Sequence, residues 1–290
     1  MQTRSTSTLE ERGVAAQLEV GARSDTGRVR QNNEDSYRVL PALNLFLLSD
    51  GMGGGAQGEV ASSMAVDVVA THCEQASQNP SLALSGEPRA ELSAETNRLL
   101  SGVHLANRAI HEQAEKNPAQ HGMGATILAA WLNNERLCLA HVGDSRAYLL
   151  RSGSLEQLTA DHSLVAEQVR RGILTLQEAN SSELQSVLTR ALGTDEKVEV
   201  DVDEFTLLDH DTLLLCSDGL TRMVPDDEIA SLLQAAPHAQ AAADRLVQRA
   251  NDRGGEDNIT VVVVRIGFRS DGWLNRLRRW SGNPGGLGSS

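Results

Sequence analysis

The chain has 290 residues, 40% hydrophobic and 22% charged, which is enough for a substantial core in one large domain or two small ones. Its net charge of -13, from 26 basic and 39 acidic residues, argues against a general nucleic-acid binder. Three scattered cysteines, Cys73, Cys138 and Cys216, form neither a zinc-ligand pattern nor a disulfide framework and suit a reducing cytosol. No apolar run reaches membrane-spanning length and the N-terminus lacks the apolar stretch of a signal peptide, so a cytoplasmic protein is expected.

Residues 1–15 are polar and rich in Ser and Thr, and read as a loose tail. Strands are predicted at 17–23, 36–40 and 43–49, the first two separated by a long polar loop. A helix at 59–77 places Val60, Met64, Ala65, Val68 and Val69 on one face, and a second at 89–116 repeats that spacing with Leu92, Leu99, Val103, Ala106 and Ile110. This pair is expected to cover one face of a sheet. The pattern then turns to short strands at 126–132, 136–142 and 147–150, with hairpin chemistry at Asn133-Asn134-Glu135 and Ser152-Gly153-Ser154. From 161 to 197 the chain is polar, helical in character and poor in large apolar residues, so a small mobile flap is expected. Strands return at 199–207 and 212–217, helices follow at 225–233 and 238–253, and a β-branched strand closes the order at 259–266. Without regular βαβ alternation, the fold class is α+β with largely antiparallel sheets flanked by helices. A compositional shift sets off a tail at 268–290, where Trp273, Leu274, Leu277 and Trp280 sit among Arg276, Arg278 and Arg279. That tail either meets a membrane surface or partner protein, or is a terminal helix docked on its own domain or a disordered end.

Three apolar runs end alike. Leu45-Phe46-Leu47-Leu48 leads into Ser49-Asp50-Gly51, Leu137–Val142 into Gly143-Asp144, and Thr212–Cys216 into Ser217-Asp218-Gly219. Each run reads as a buried strand that delivers an aspartate to its end. Any one Asp-Gly is most simply a turn former. The set Asp35, Asp50, Asp144, Asp218 and Asp257 is different, because clustered carboxylates repel unless cations lie among them. An all-oxygen set without a His or Cys pattern suits Mg²⁺ or Mn²⁺. The run Gly51-Met52-Gly53-Gly54-Gly55-Ala56 also matches a dinucleotide-binding G-x-G-x-x-A, a weak signal because Asp50 would face the pyrophosphate.

Taken in order, the sequence resembles the metal-dependent protein phosphatases, the type 2C serine/threonine phosphatases, in their bacterial form. The resemblance rests on Arg30-x-x-x-Glu34-Asp35, Ser49–Gly54, Gly124-Ala125-Thr126, Val142–Arg146, Leu158–Ser163, Leu188–Gly193, Ser217–Leu220 and Glu256–Thr260, over about residues 17 to 266. It implies a central antiparallel β-sandwich flanked by pairs of helices, a four-layer α-β-β-α domain spanning 16–267. It also implies a two-metal centre that hydrolyses phosphoserine and phosphothreonine in proteins by direct attack of a metal-activated water. By the same resemblance, Asp50 bridges two Mn²⁺ or Mg²⁺ ions, and Gly51 lends its carbonyl. Asp218 and Asp257 ligate one ion. Asp144, with Asp218, holds a third, weaker ion. Glu34 and Asp35 reach metal-bound water, and Arg30 binds phosphate as a fork donor. The implied partners are phosphorylated proteins, substrates of a cognate serine/threonine kinase.

One departure stands out. Many members carry a histidine in the glycine loop as the acid for the leaving group; here the candidate positions are Met52 and Gly55. Metal-bound water is then the expected acid, with His162 at the start of the flap as the alternative, although His162 reads more simply as a structural hydrogen-bonder and His141 as a satisfied core residue. The alternative function is a catalytically weak domain that binds phosphoproteins and regulates without turning them over.

Overall fold

The computed structural model describes residues 16–268, apart from 54–56, 180–181 and 183. The expected N-terminal tail and residues 269–290 lie outside the described residues. In chain order the elements are β1 (Ala16–Asp25), β2 (Asp35–Leu40), β3 (Leu45–Met52), α1 (Gln57–Gln78), α2 (Ala94–Lys116), β4 (Gly124–Ala125), β5 (Ile127–Asn133), β6 (Arg136–Val142), β7 (Arg146–Arg151) and β8 (Ser154–Gln157). They continue with α3 (Leu164–Arg170), α4 (Leu176–Ala179), β9 (Asp201–Thr206), β10 (Thr212–Cys216), α5 (Asp218–Thr221), α6 (Asp226–Ala235), α7 (Ala239–Asp252) and β11 (Ile259–Phe268).

Two antiparallel sheets result, ordered β1-β11-β10-β7-β8 and β2-β3-β5-β6-β9, with β4 paired to β3. The continuous apolar runs have a simple cause: both faces of each sheet are covered. In β3, Leu45 and Leu47 pack outward under α1 and α2, while Phe46 and Leu48 face the other sheet. In β10, Leu214 and Cys216 meet the α6–α7 layer, while Leu213 and Leu215 point between the sheets. β11 divides in the same way, Val261 and Val263 outward and Val262 and Val264 inward. The layers are therefore α-β-β-α, as the resemblance implied.

That parity positions the acids. Phe46, Leu48 and Asp50 share one face of β3, so Asp50 lies where the inter-sheet core opens. Asp35 stands directly opposite Asp50 in the β2–β3 register. The two Ser-Asp-Gly runs sit in different sheets, β3 in one and β10 in the other.

Several expectations need correction. Asp50 and Gly51 are not beyond a strand end, since β3 continues to Met52 through pairing with β4. Asp218 does not close β10 but opens the short helix α5. α2 begins at Ala94 rather than 89, because Ser93 caps it and the Asn97 amide donates to the carbonyls of Arg89, Leu92 and Ser93, holding a turn there. The segment 161–197 is mostly turns around α3 and α4. Gly172, at φ 69°, turns the chain just past the end of α3. β3 runs antiparallel to both β2 and β5, which removes the parallel βαβ unit a dinucleotide site needs.

Leu128 is fully buried between the sheets. Leu128→Ala should cost about 2–5 kcal/mol of unfolding free energy. Urea denaturation checks this; a loss below about 1 kcal/mol would show that this layer is not the core.

Candidate metal and phosphate site

The acids collect where the two sheets open, and each is held by backbone and neighbours. Asp50 donates its N–H to Thr126 Oγ1 (2.9 Å) and accepts at its carbonyl from the Thr126 N–H (2.8 Å). Thr126 Oγ1 in turn lies 2.8 Å from Ser145 Oγ, beside Asp144. Asp35 Oδ2 accepts from Ser217 Oγ (2.8 Å), the residue before Asp218. Asn258 accepts the Glu34 N–H (2.8 Å) and donates to the carbonyls of Thr26 and Asn32 (2.9 and 2.8 Å), which ties the long β1–β2 loop to the start of β11. Gly51 packs so tightly that a Cβ would sit 2.0 Å from the Gly58 carbonyl oxygen, so only glycine fits.

The charge balance is severe. Burial pushes the Asp35 carboxyl up to about 7, with Asp218 and Asp257 adding repulsion against hydrogen bonds from Thr260 and Ser217. Burial pushes Asp144 up to about 8, helped by Asp218 and Asp161 and opposed by Arg222. Asp50 is raised well above its ordinary range by burial and then by Asp35, Asp218, Asp144 and Asp257. Asp218 is raised by burial, with Arg222 pulling the other way. Glu34 is raised by burial, with Arg30 opposing and Asp257 and Glu59 reinforcing. Asp35 Oδ1 and Asp218 Oδ1 are buried without a hydrogen-bond partner. Arginines supply the positive charge. Arg30 Nη2 lies 2.8 Å from Asp257 Oδ2, and Arg222 pairs with Asp218 and stands 3.7 Å from Asp257.

Of the residues singled out, Asp35, Asp50, Asp144, Asp218 and Asp257 thus share one electrostatic neighbourhood, with Glu34 and Arg30 at its edge. Among the described residues, no three His, Cys, Asp or Glu side chains already form a ready metal cage. The donor chemistry nevertheless fits a hard divalent cation: only oxygens, mutually repelling, with two buried carboxylate oxygens left over. Of the two loop positions considered for an acid, Met52 closes β3 and Gly55 lies outside the described residues.

His162 is structural. It is 1% exposed, its Nδ1 accepts the Gly143 N–H (3.1 Å) and its Nε2 lies 3.1 Å from Asp201 Oδ2. His141 is buried within β6 with the Ser145 backbone beside its ring, and burial pushes it down to about 3, so it stays neutral next to the His162 ring at 4.7 Å. Ser217 and Thr126 stand in the sequence only as parts of motifs, and their tethering follows from the folded contacts. Arg222 is not among the residues the sequence singles out, because its i,i+4 relation to Asp218 exists only once α5 forms.

Beside the acids opens a cleft of about 750 Å³. Asp144, Asp218 and Arg222 line one side; Val165, Val169 and Arg170 of α3 line another. Arg146 braces its wall with a fork on Asp161 (2.9 and 2.7 Å).

A four-layer sandwich with a buried oxygen-donor acid cluster beside an open cleft defines a class of metal-dependent hydrolase. The chain belongs to the protein phosphatase 2C family, which it matches over residues 24–259. It is similar to the serine/threonine phosphatase Stp of Listeria welshimeri, at 39% identity over 255 residues, 86% of this chain and 96% of the relative. It is also similar to the serine/threonine protein phosphatase PstP of Mycobacterium tuberculosis, at 41% identity over 253 residues, 87% of this chain and 46% of that longer protein. The crystal structure of the catalytic domain of PstP in complex with two manganese ions superposes with a TM-score of 0.75, at 38% identity, covering 87% of this chain and 100% of that one.

The raised carboxyls set a pH response for the metal-stripped protein. Asp35 and Asp144 hold protons when folded up to pH values near 7 and 8, yet release them near 3.8 when unfolded. Stability from this source is complete below the unfolded value and lost as pH rises through the folded one. In EDTA, the melting temperature should fall between about pH 5 and about pH 8.5. A temperature that stays flat or rises over that window, followed by circular dichroism, contradicts the mutual burial of these acids.

Proposed function

We propose that this protein is a metal-dependent serine/threonine protein phosphatase that releases phosphate from phosphoserine and phosphothreonine in proteins. The observation that carries this reading is the meeting of acids from β2, β3, the β6–β7 turn and the start of α5, in a chain of the protein phosphatase 2C family. Asp50, Asp218 and Asp257 would hold two Mn²⁺ or Mg²⁺ ions, with the Gly51 carbonyl as a further ligand and Asp144 with Asp218 as the place of a third. When bound, such ions make a water nucleophilic at neutral pH and offset charge on the phosphoryl group.

The chain's own groups do the rest. Arg30 is half exposed at the rim, so its guanidinium can leave Asp257 and grip a phosphate with two parallel hydrogen bonds. Asp35, steadied by Ser217, and Glu34, steadied through Asn258, orient water at the floor. A phosphocysteine route finds no support, since the Cys216 thiol next to the site is buried and its pKa is pushed up, which keeps it protonated. His162 spends both ring nitrogens on Gly143 and Asp201, which leaves it no proton to offer a leaving group.

The cleft along α3 supports residues 161–197 as the flap against which a phosphoprotein lies, within a catalytic domain of 16–267. Relatives named as phosphatases count against the binding-only alternative. By likeness to those bacterial relatives, the setting is signalling opposite a cognate serine/threonine kinase. The three buried, unpaired cysteines suit the cytoplasm. No helix among the described residues is long and apolar enough to cross a membrane. Any contact of the 268–290 tail with a lipid surface remains part of this proposal.

Phosphate release from a phosphothreonine peptide should require Mn²⁺ or Mg²⁺ and stop in EDTA. Asp218→Asn should lower kcat/KM by more than about a hundredfold with an unchanged circular dichroism spectrum. Arg30→Ala should mainly raise KM. Full turnover by the Asp218 variant, or turnover in EDTA, would overturn the assignment.

A further inference from the structure

α5 is a single turn whose first residue is Asp218, and Arg222 follows immediately after it. The i,i+4 spacing lays the Arg222 side chain over the carboxylate it follows. Its guanidinium pairs with Asp218, and its second arm is 3.7 Å from Asp257. The side chain is only 24% exposed, so this is not a loose surface contact. α5 itself cannot shift to relieve the pair: a Cβ on Gly219 would lie 2.1 Å from the Asn258 carbonyl oxygen, which shows how closely the turn is pressed onto the start of β11. A permanent single positive charge thus sits among acids that the reading above assigns to divalent ions. Arg30 makes a comparable contact from the rim, but at 55% exposure it is held far less firmly. Arg222 also lines the open cleft with Asp144, Met223 and Asp226, so its side chain has room to leave without the backbone moving.

We propose that Arg222 is a resident counter-ion of the acid cluster, competing with a divalent cation for the Asp218 carboxylate and so setting the affinity of the most weakly held ion. The inference rests on the metal-centre reading. Its physical basis is a tethered cation that is always present at its carboxylate, against an ion present only at its free concentration. A +2 ion wins where it gains several carboxylates at once, as between Asp50, Asp218 and Asp257. It wins least where it gains only Asp144 and the Asp218 carboxylate whose Oδ2 the guanidinium already holds. Without ions, the arginine keeps like charges from forcing the sheet edges apart. With ions, the released guanidinium faces the cleft, where it meets the phosphoprotein.

The test is calorimetric titration of the metal-stripped full chain with Mn²⁺, for the wild type, Arg222→Gln and Arg222→Lys, with melting curves in EDTA alongside. Arg222→Gln should bind the weakest ion roughly tenfold or more tightly, since one competing charge is gone. Its melting temperature in EDTA should fall, and saturating Mn²⁺ should restore it. Arg222→Lys keeps the charge but loses the fork, and should lie between the two. If the glutamine variant does not stay folded without metal, the lysine variant decides alone by the same tightening. An unchanged or weaker weakest-site affinity overturns the proposal. A wild-type chain that takes up no Mn²⁺ overturns the metal-centre reading itself, a separate failure visible in the first titration.

Discussion

Like charges buried against one another are what this fold has to accommodate. Asp35 and Asp50 face each other across the β2–β3 pair, and Asp144 and Asp218 approach from the other elements. In a medium of lowered dielectric each carboxylate raises the others, which is why burial heads the causes and neighbouring acids follow. Such a cluster persists only when the scaffold around it over-determines the geometry and cations share the space.

The scaffold does this through its layers. Two sheets, each apolar on both faces, fix strand parity along the whole length of β3, β10 and β11. A one-residue slip in any of these strands would swap its inner and outer faces, so the register is strongly enforced. Short polar tethers then link elements remote in sequence: Thr126 joins β3 to the turn before β7, Ser217 joins β2 to β10 and β11, and Asn258 joins the β1–β2 loop to β11. These residues fix the distances between charges that would otherwise separate.

Much of this was legible in the sequence. Apolar runs bounded by glycine announced the buried strands, and β6 was bounded correctly because its flanks are unambiguous: Asn133-Asn134-Glu135 on one side, Gly143-Asp144 on the other. The helix pair over one sheet followed from 3.6-residue spacing. The start of α2 did not, because a side chain, Asn97, overrides local propensity by claiming three carbonyls. The segment 161–197 looked helical from composition, yet it lacks the apolar stripe that would hold a long helix, and Ile173, Leu184 and Val187 remain exposed. At the site, Asp50, Asp144 and Asp218 were readable as a repeated ending of apolar runs, but Arg222 was not. Nothing in Thr221-Arg222-Met223 marks the arginine until α5 turns it back over Asp218.

Anomalous diffraction from crystals grown with Mn²⁺ tests the central claim most directly, because it locates ions without relying on turnover. The account predicts two strong peaks bridged by Asp50, with Asp218 and Asp257 as further ligands and Arg222 displaced toward the cleft. Peaks confined to the surface, with the acids still paired only to Arg30 and Arg222, would contradict it.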